Sequence, residues 1–277
     1  MSTFVVACVQ NCAGDDQPAN LIVVERLVRE AVARSADLIC LPEFFCVLER
    51  GDGGYFARGH VQAEHPALAA MQALARDTAR WLLLGSIPIK SDAGRVLNRS
   101  FVVRPDGSIA ATYDKIHLFD VAIGDGQNYR ESASVIAGSR AAVTDLPWGR
   151  LGLSVCYDVR FPRLYHHLAQ AGAVFLSIPA AFTAKTGAAH WHTLVRARAI
   201  ETGCYVFAPA QCGTRHWGRQ TYGHSLIVDP WGEVVADGGD DEGVIVASVD
   251  VARVAATRRM IPALAHTREF EPAGEVQ

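Results

Sequence analysis

The stretch LGLSVCYDVRFP, residues 151–162, decides how the rest of the sequence is interpreted. Small residues alternate with aliphatic ones up to Val155, which predicts a buried strand, and Pro162 is typical of the first turn of a helix. Cys156 is therefore expected at the corner between a strand and a helix. Backbone N–H groups and the positive end of a helix dipole at such a corner favour a thiolate and an oxyanion beside it. The alternative is a buried cysteine without a chemical role, since free cysteine is among the most buried residue types.

Length and composition predict one globular domain over residues 1–277. Apolar residues make up 50% and charged residues 20% of the 277 residues, which suffices for a large core and excludes a disordered chain. No break in composition favours two domains, and an irregular tail is expected from about residue 261. The formal net charge is −3 without runs of like charge, so neither nucleic acid nor a membrane surface is expected as a partner.

The cysteines and the N-terminus predict a cytoplasmic protein. Seven cysteines, several of them in apolar strand-like runs, favour reduced thiols over a disulfide framework. The first ten residues, MSTFVVACVQ, lack the basic start of a signal peptide, and no apolar run reaches the roughly 18 residues needed to span a bilayer.

Apolar runs alternate with helical patterns along the chain, which predicts an α/β fold. A strand at 4–10, a helix, a strand, a helix and a strand precede a hairpin about Pro105-Asp106-Gly107. The strand and helix rhythm returns in the second half, with strands predicted at 173–182 and 204–212. Because the two halves match in rhythm, one sandwich of two mixed sheets with helices outside is expected.

Glu43 in the segment LPEFF is a candidate general base. Pro42 ends a predicted strand over 37–45 and leaves Glu43 at the carboxyl end of that strand, between proline and two phenylalanines. Burial in such walls is expected to raise the pKa of the carboxyl into the range useful for proton transfer. The alternative is a loop acid that points into water.

Two further charged residues stand in loops next to predicted strands. Lys115 in YDKIHLF follows the second hairpin strand, where catalytic groups often gather, although a surface ion pair is the ordinary interpretation. Glu131 lies in the loop segment YRES, where a glutamate is usually solvated. The glycine-rich stretch 51–60 is expected to be a loop that borders a pocket.

Four motifs together resemble the nitrilase superfamily of carbon–nitrogen hydrolases; they are LPEFF (41–45), YDKIHLF (113–119), YRES (129–132) and SVCYDVRFP (154–162). The resemblance continues through PAAFTAKTGAAHWHTLVRARAIE (179–201) and GHSLIVDPWGE (223–233). The Nit branch, with deaminated glutathione amidases and omega-amidases, is the most similar, and KIHLFDV, TGAAHW and RARAIETGCYVFAPAQCG favour the former. This resemblance implies a four-layer α-β-β-α sandwich that forms a homodimer through its outer helices.

The resemblance also assigns roles to the candidate residues. Cys156 is the expected nucleophile, and the Lys115 ammonium with the backbone N–H of Tyr157 would hold the oxyanion. Glu43 would take the thiol proton and pass it to the leaving nitrogen, while Glu131 would orient Lys115 and keep it charged. No metal and no organic cofactor has a task in this scheme.

The expected substrate is a small carboxylate-bearing primary amide, similar to deaminated glutathione or an omega-amide. It would be hydrolysed to an acid and ammonia through a cysteine thioester. Arg160 and Arg196 are candidates to bind the substrate carboxylate, with a helix-end charge and a solvated surface as their ordinary roles. Tyr157, Phe182 and Trp191 are candidates for the pocket walls, although aromatic residues at such spacings are more often core.

Other functions remain open from the residues. Cleavage of N-carbamoyl amino acids or of nitriles would use the same four groups. A thiol hydrolase of the Cys-His type would require one of three histidines, His117, His190 or His224. A zinc site would draw on Cys204, Cys212, His190 and His192, although no CxxC pair is present. A binding subunit without catalysis is disfavoured because none of the four reactive residues is replaced.

Overall fold

The computed structural model describes residues 3–48, 55, 57, 59–124 and 128–271, so most of the stretch 51–60 lies outside the described residues. The helices are α1 (Gln17–Ala33), α2 (Pro66–Thr78), α3 (Pro162–Gln170), α4 (Ala184–Thr202) and α5 (Ala252–Met260). Short 3-10 turns span Gln62–Glu64, Glu131–Ala133 and Cys156–Arg160. Among these helices, none combines the length and apolarity required to cross a bilayer.

The strands form two mixed sheets and a small hairpin. In chain order they are β1 (Thr3–Gln10), β2 (Leu38–Cys40), β3 (Trp81–Lys90), β4 (Val96–Val103), β5 (Ile109–Asp114), β6 (Asp120–Ala122), β7 (Asn128–Arg130), β8 (Val135–Ile136), β9 (Ala142–Leu146), β10 (Gly149–Leu153), β11 (Phe175–Ser177), β12 (Tyr205–Ala208), β13 (Leu226–Val228), β14 (Val234–Asp237) and β15 (Gly243–Asp250). The first sheet has the order β15-β1-β2-β3-β4-β5, with β8 beside β4, and the second has the order β14-β13-β12-β11-β10-β9. Strands β1, β2 and β3 are parallel, as are β10, β11 and β12, while their outer neighbours are antiparallel.

Successive side chains of β1 face opposite sides of the first sheet. Val6 and Cys8 pack into the core between the two sheets, whereas Ala7 and Val9 pack against α1 and α2. On the far side of the second sheet, α3 and α4 contribute Leu168 and other apolar residues to the core that β10 to β13 share. The predicted α-β-β-α arrangement is therefore confirmed.

Helix α1 shows how local sequence sets the outer layer. The Asp16 carboxylate accepts a hydrogen bond from the backbone N–H of Ala19 at 3.0 Å, and Pro18 lies in the first turn. Val24 and Val28 then recur at helical spacing and are buried against the first sheet.

Three strands are shorter than the sequence predicts. Strands β2 and β11 have three residues each and β12 has four, because Pro42, Pro179 and Pro209 follow closely and cannot donate to a sheet ladder. The chain therefore leaves these parallel strands early. The loops that follow β2 and β11 carry Glu43 and Phe182.

Candidate active site

A cleft of about 380 Å³ opens at the carboxyl ends of the central strands. Glu43, Lys115, Glu131 and Cys156 all line it, although they come from four separate loops. The structure therefore brings together the four groups that the motifs single out.

Lys115 is at the centre of this group. Its ammonium donates to Glu43 Oε1 at 2.9 Å and to Glu131 Oε2 at 2.8 Å, and the side chain is only 2% exposed. Burial favours the neutral amine, but the two carboxylates outweigh it, so the pKa of Lys115 lies well above its usual value. Lys115 is thus a fixed cation.

Glu43 is buried and surrounded by donors. Besides Lys115, the Asn98 side-chain amide donates to Oε1 and the backbone N–H of Ala181 donates to Oε2, each at 2.9 Å. Burial acts to raise the pKa of Glu43, but Lys115, together with hydrogen bonds from Cys156 and Asn98, lowers it below its usual value. The prediction that desolvation dominates is therefore wrong, because the walls hold a cation as well as phenylalanines.

Glu131 begins a 3-10 turn and is the second carboxylate that accepts from Lys115. Its Oε2 also accepts from the backbone N–H of Phe119 at 2.7 Å, and its Oε1 accepts from Asn98 at 3.1 Å. These donors fix the carboxylate, so Glu131 holds Lys115 in one position.

Cys156 lies at the strand-to-helix corner in a left-handed backbone conformation, with φ of 48°. Its backbone N–H donates to the carbonyl of Pro179 at 2.8 Å, and its thiol lines the cleft with the Glu43 carboxylate. Burial and the nearby Glu43 charge raise the pKa of the thiol well above its usual value, although Lys115 opposes this. The expectation of a favoured thiolate is therefore wrong for the resting site, and the sulfur needs a base when it reacts.

Tyr157 follows Cys156 as the second residue of the 3-10 turn Cys156–Arg160. The first N–H groups of a helical turn have no carbonyl one turn earlier to accept them, so they are available to an oxyanion. The Tyr157 side chain also lines the cleft.

Asp158, which was not predicted from the sequence, holds the 3-10 turn Cys156–Arg160 in place. Its carboxylate, 0% exposed, accepts from the backbone N–H of Val155 at 2.8 Å and from the Tyr113 hydroxyl at 2.7 Å. It also accepts from the backbone N–H of His117 at 3.0 Å, two residues after Lys115. One buried carboxylate thereby joins the cysteine turn to the lysine loop.

The candidate substrate-binding residues separate into two groups. Phe182 lines the cleft, but Arg160, Trp191 and Arg196 are not among the described residues that line it. The Arg160 guanidinium lies behind the wall, 5.3 Å from the ring centre of Phe182 and 5.8 Å from that of Tyr157. The role of Arg160 in binding a carboxylate stays a prediction.

Trp191 and Arg196 are held by the backbone instead. The Trp191 indole N–H donates to the carbonyl of His224 at 2.8 Å, and its ring packs against Phe182 with centres 4.9 Å apart. Arg196 donates to the carbonyl of Gly232 at 2.8 Å, in the turn between β13 and β14. Both contacts lie outside the described lining of the cleft, and a substrate-binding role for either residue stays a prediction.

Two cationic residues that line the cleft, Arg130 and Arg219, were not predicted from the sequence. Arg130 directly precedes Glu131 in the YRES motif, so the motif itself carried a signal. Arg219 comes from the loop between β12 and β13 and lies over the Tyr129 ring, 5.8 Å from its centre. Nothing in the sequence around Arg219 indicates that its loop reaches the cleft.

The histidines and metal-type ligands gather elsewhere. The ring of His117 contacts Asp158 at 2.7 Å, that of His190 contacts Arg160 at 3.3 Å, and that of His224 contacts Asp237 at 2.9 Å. None of these histidines is among the described residues that line the cleft.

One group of metal-type donors converges in the described part of the chain. His192, His224 and Asp237 offer atoms within 4.8 Å of one another, outside the cleft lining, and neither Cys204 nor Cys212 belongs to the group. Both imidazoles already share the Asp237 carboxylate at 2.9 Å, so hydrogen bonds account for the arrangement.

A two-sheet sandwich with a buried thiol, an ammonium and two carboxylates in one cleft fits the class of hydrolases that attack carbonyl carbon with a cysteine. Comparison with known proteins agrees with that class. The family model described as carbon-nitrogen hydrolase matches residues 5–259. A deaminated glutathione amidase from Synechocystis sp. is 40% identical over 96% of this chain and 98% of its own length.

Solved structures give the same result. The C. elegans NitFhit protein superposes with a TM-score of 0.89 at 36% identity; the match covers 97% of this chain but only 66% of that longer one. Nit3 of Saccharomyces cerevisiae, a member of branch 10 of the nitrilase superfamily, has a TM-score of 0.86 at 29% identity, over 94% and 95% of the two chains. The chain belongs to the carbon–nitrogen hydrolase family, and it is an enzyme that hydrolyses C–N bonds other than peptide bonds.

Proposed function

We propose that the enzyme hydrolyses a small carboxylate-bearing amide through a thioester on Cys156. The observation that supports this most directly is the buried Lys115 ammonium, which is paired with the Glu43 and Glu131 carboxylates beside a buried thiol. The raised pKa of Cys156 and the lowered pKa of Glu43 mean that the resting pair is a thiol and a carboxylate. Glu43 is therefore ready to accept a proton at the moment when the sulfur attacks.

In the first half of the reaction, Glu43 takes the thiol proton while the Cys156 sulfur bonds to the amide carbonyl carbon. The oxyanion is held by the Lys115 ammonium and the Tyr157 N–H, and one such donor commonly contributes about 3–4 kcal/mol of barrier lowering. Glu43 then gives its proton to the nitrogen, the C–N bond breaks, and a thioester remains.

In the second half, water attacks the thioester and Glu43 takes a proton from that water. The tetrahedral intermediate collapses, the carboxylic acid leaves, and the sulfur recovers its proton from Glu43. Throughout both halves, Glu131 keeps Lys115 charged and in place.

The substrate chemistry is proposed from the named relatives and from the cleft. Deaminated glutathione and omega-amides both carry carboxylates, and Arg130 and Arg219 on the cleft wall are cations that such groups would meet. An omega-amide releases ammonia. The amide of deaminated glutathione is secondary, so an amine leaves instead, and either nitrogen needs the proton that Glu43 delivers.

A substrate panel tests the proposal. Acid production is measured for deaminated glutathione, α-ketoglutaramate, an N-carbamoyl amino acid and a nitrile. We expect turnover of one or both of the first two, and higher turnover of the carbamoyl compound or the nitrile would contradict the assignment.

Variants of two buried cysteines test the mechanism. We expect Cys156→Ala to lower kcat by roughly 10⁴-fold or more, as removal of a nucleophile does. Cys204→Ala is the matched control because Cys204 is also buried and also has a raised pKa, but it contacts Arg258 rather than the cleft. Acid-quenched mass spectrometry should show an acyl adduct that Cys156→Ala lacks; retained turnover in that variant would exclude the mechanism.

We propose further that the enzyme is a homodimer of the cytoplasm. The exposed apolar side chains of Ile200 on α4, Trp231 in the β13–β14 turn and Met260 on α5 support an interface on the outer helices. The seven cysteines are all unpaired, which supports a reducing compartment. Light scattering on wild type and Trp231→Lys tests the dimer, since the variant should dissociate.

A further inference from the structure

Asn98 on β4 stands between the two carboxylates of the site. Its side-chain amide nitrogen donates to Glu43 Oε1 at 2.9 Å and to Glu131 Oε1 at 3.1 Å. Its backbone carbonyl accepts from the N–H of Lys115 at 3.0 Å. The residue is 0% exposed, so these contacts are made without competition from bulk water.

The orientation of this amide follows from its neighbours. Turning it over would place Oδ1 against two carboxylate oxygens, which repel it, so the NH₂ group must face them. In this orientation Asn98 Oδ1 is buried with no hydrogen-bond partner among the described residues. A buried polar atom without a partner is unfavourable, so the two donated bonds outweigh that loss.

We propose that Asn98 is a positioning residue that holds the Glu43 carboxylate beside Lys115 and Glu131, so that Glu43 remains free to accept the Cys156 proton. The inference rests on the proposed function, in which Glu43 is the general base.

The charges around Lys115 explain why such a residue is needed. Two carboxylates around one ammonium leave this group of three with one excess negative charge, which favours protonation of the buried Glu43. The ionisable groups that face the Asn98 amide are Glu43, Glu131 and Lys115, with Cys156 on the far side of Glu43. A neutral group with two hydrogens gives each carboxylate one donor without adding charge.

Removing the amide is therefore expected to change the protonation of Glu43. In Asn98→Ala, Glu43 loses a donor to its charged form, its pKa rises, and the acid limb of kcat/KM moves to higher pH by about one unit. At pH values below that limb, kcat/KM falls about tenfold, because less of the base is ionised. Asn98→Asp keeps the shape but adds a third carboxyl, so its acid limb should move at least as far.

A second readout does not need the substrate. The rate at which iodoacetamide alkylates Cys156 is followed against pH by mass spectrometry, because Glu43 accepts the same proton in that reaction. The acid limb of alkylation should move with that of kcat/KM. If the proposed function fails on every substrate, this limb still reports on Asn98.

Asn11→Ala is the matched control. Asn11 is also buried and also has an unpartnered Oδ1, but its NH₂ donates to the carbonyl of Phe45 and not to a carboxylate. We expect a lower melting temperature and an unmoved acid limb for Asn11→Ala. An acid limb that stays in place in both Asn98 variants, or that moves as far in Asn11→Ala, would overturn the proposal.

Discussion

Two buried cations near the cleft are held in opposite ways. Lys115 is paired with two carboxylates, which raise its pKa. Arg215, 4% exposed, donates to the carbonyls of Ala13 and Cys212 and to the side chain of Gln211, at 2.8 to 3.0 Å. Burial lowers the pKa of Arg215.

These different partners indicate different roles: Lys115 takes part in the proton chemistry of the site, and Arg215 stabilises the fold around it. Around Lys115 the charges are matched by ionised groups, so any change in one group shifts the protonation of the others. Around Arg215 the partners are dipoles that cannot exchange protons. Gln211 extends this second network by donating to the carbonyls of Glu43 and Phe44, so the loop between β12 and β13 is held against the segment that carries the base.

Replacing the paired cation should have the largest effect on activity. In Lys115→Met the oxyanion loses a donor and Glu43 loses its counter-ion, so kcat/KM should fall by about 10³-fold or more. Lys185→Met is the control, because Lys185 donates to the carbonyl of Gly124 and has no carboxylate contact in the described structure. Near-normal kcat in Lys115→Met would contradict the role of the ammonium.

Glu131→Gln should have an intermediate effect on activity. The amide preserves the shape of the side chain but removes one of two counter-charges of Lys115, so kcat should fall about 10- to 100-fold while KM changes little. Steady-state kinetics with Glu25→Gln as a surface control measures this. A change confined to KM would indicate that Glu131 binds substrate instead.

Arg215→Met should affect the stability of the protein more than its activity. We expect the free energy of unfolding to fall by about 2–4 kcal/mol, because several buried carbonyls lose their donor, while kcat stays within about tenfold. Urea unfolding and kinetics on the same samples provide both values. The comparison fails if Arg215→Met loses more activity than Lys115→Met at equal folded fraction.

The smallest expected effect is on the pH dependence of the free energy of unfolding. The pKa of Glu43 is lowered from 4.5, so its contribution to stability is present above about pH 4.5 and is lost as pH falls through its folded value. The pKa of Lys115 is raised from 10.5, so its contribution is complete below that pH and is lost as pH rises through its folded value.

Lys115→Met should reverse the contribution of Glu43 on the acid side of this profile. Without the ammonium, burial raises the pKa of Glu43, so the variant should gain stability as the carboxyl takes up a proton. Unfolding by urea between pH 3 and pH 8 should show that the difference in unfolding free energy between wild type and variant narrows as pH falls. Parallel profiles would mean that Lys115 and Glu43 are not coupled.

The sequence predicts the layers and the reactive groups because both depend on local signals. Alternation along β1 and the acidic start of α1 are local, and the four motifs carry Glu43 and Cys156 in recognisable surroundings. The lengths of β11 and β12 were overestimated because the apolar pattern continues through Pro179 and Pro209, whose missing N–H ends the ladder.

Partners that meet only in space could not be predicted. Asn98 lies 55 residues from Glu43, and Asp158 lies 45 and 41 residues from Tyr113 and His117, so none of these contacts leaves a pattern in the sequence. The sign of the Glu43 pKa shift depends on the same convergence, since burial alone predicts a raised pKa. For Cys156, the expectation from backbone N–H groups and the helix dipole left out burial and the Glu43 charge, which raise the pKa of the thiol. Arg160 is close to Cys156 in the chain, but Tyr157 and Phe182 line the cleft while the Arg160 guanidinium packs against their rings.

The left-handed backbone conformation of Cys156 matters for engineering of this enzyme. A left-handed conformation is unfavourable by roughly 1–2 kcal/mol for a residue with a Cβ and is readily adopted by glycine. Selection for thermal stability alone would therefore favour glycine at position 156, and the resulting protein would be more stable but inactive. Screens for thermostable variants of this scaffold should score turnover in every round.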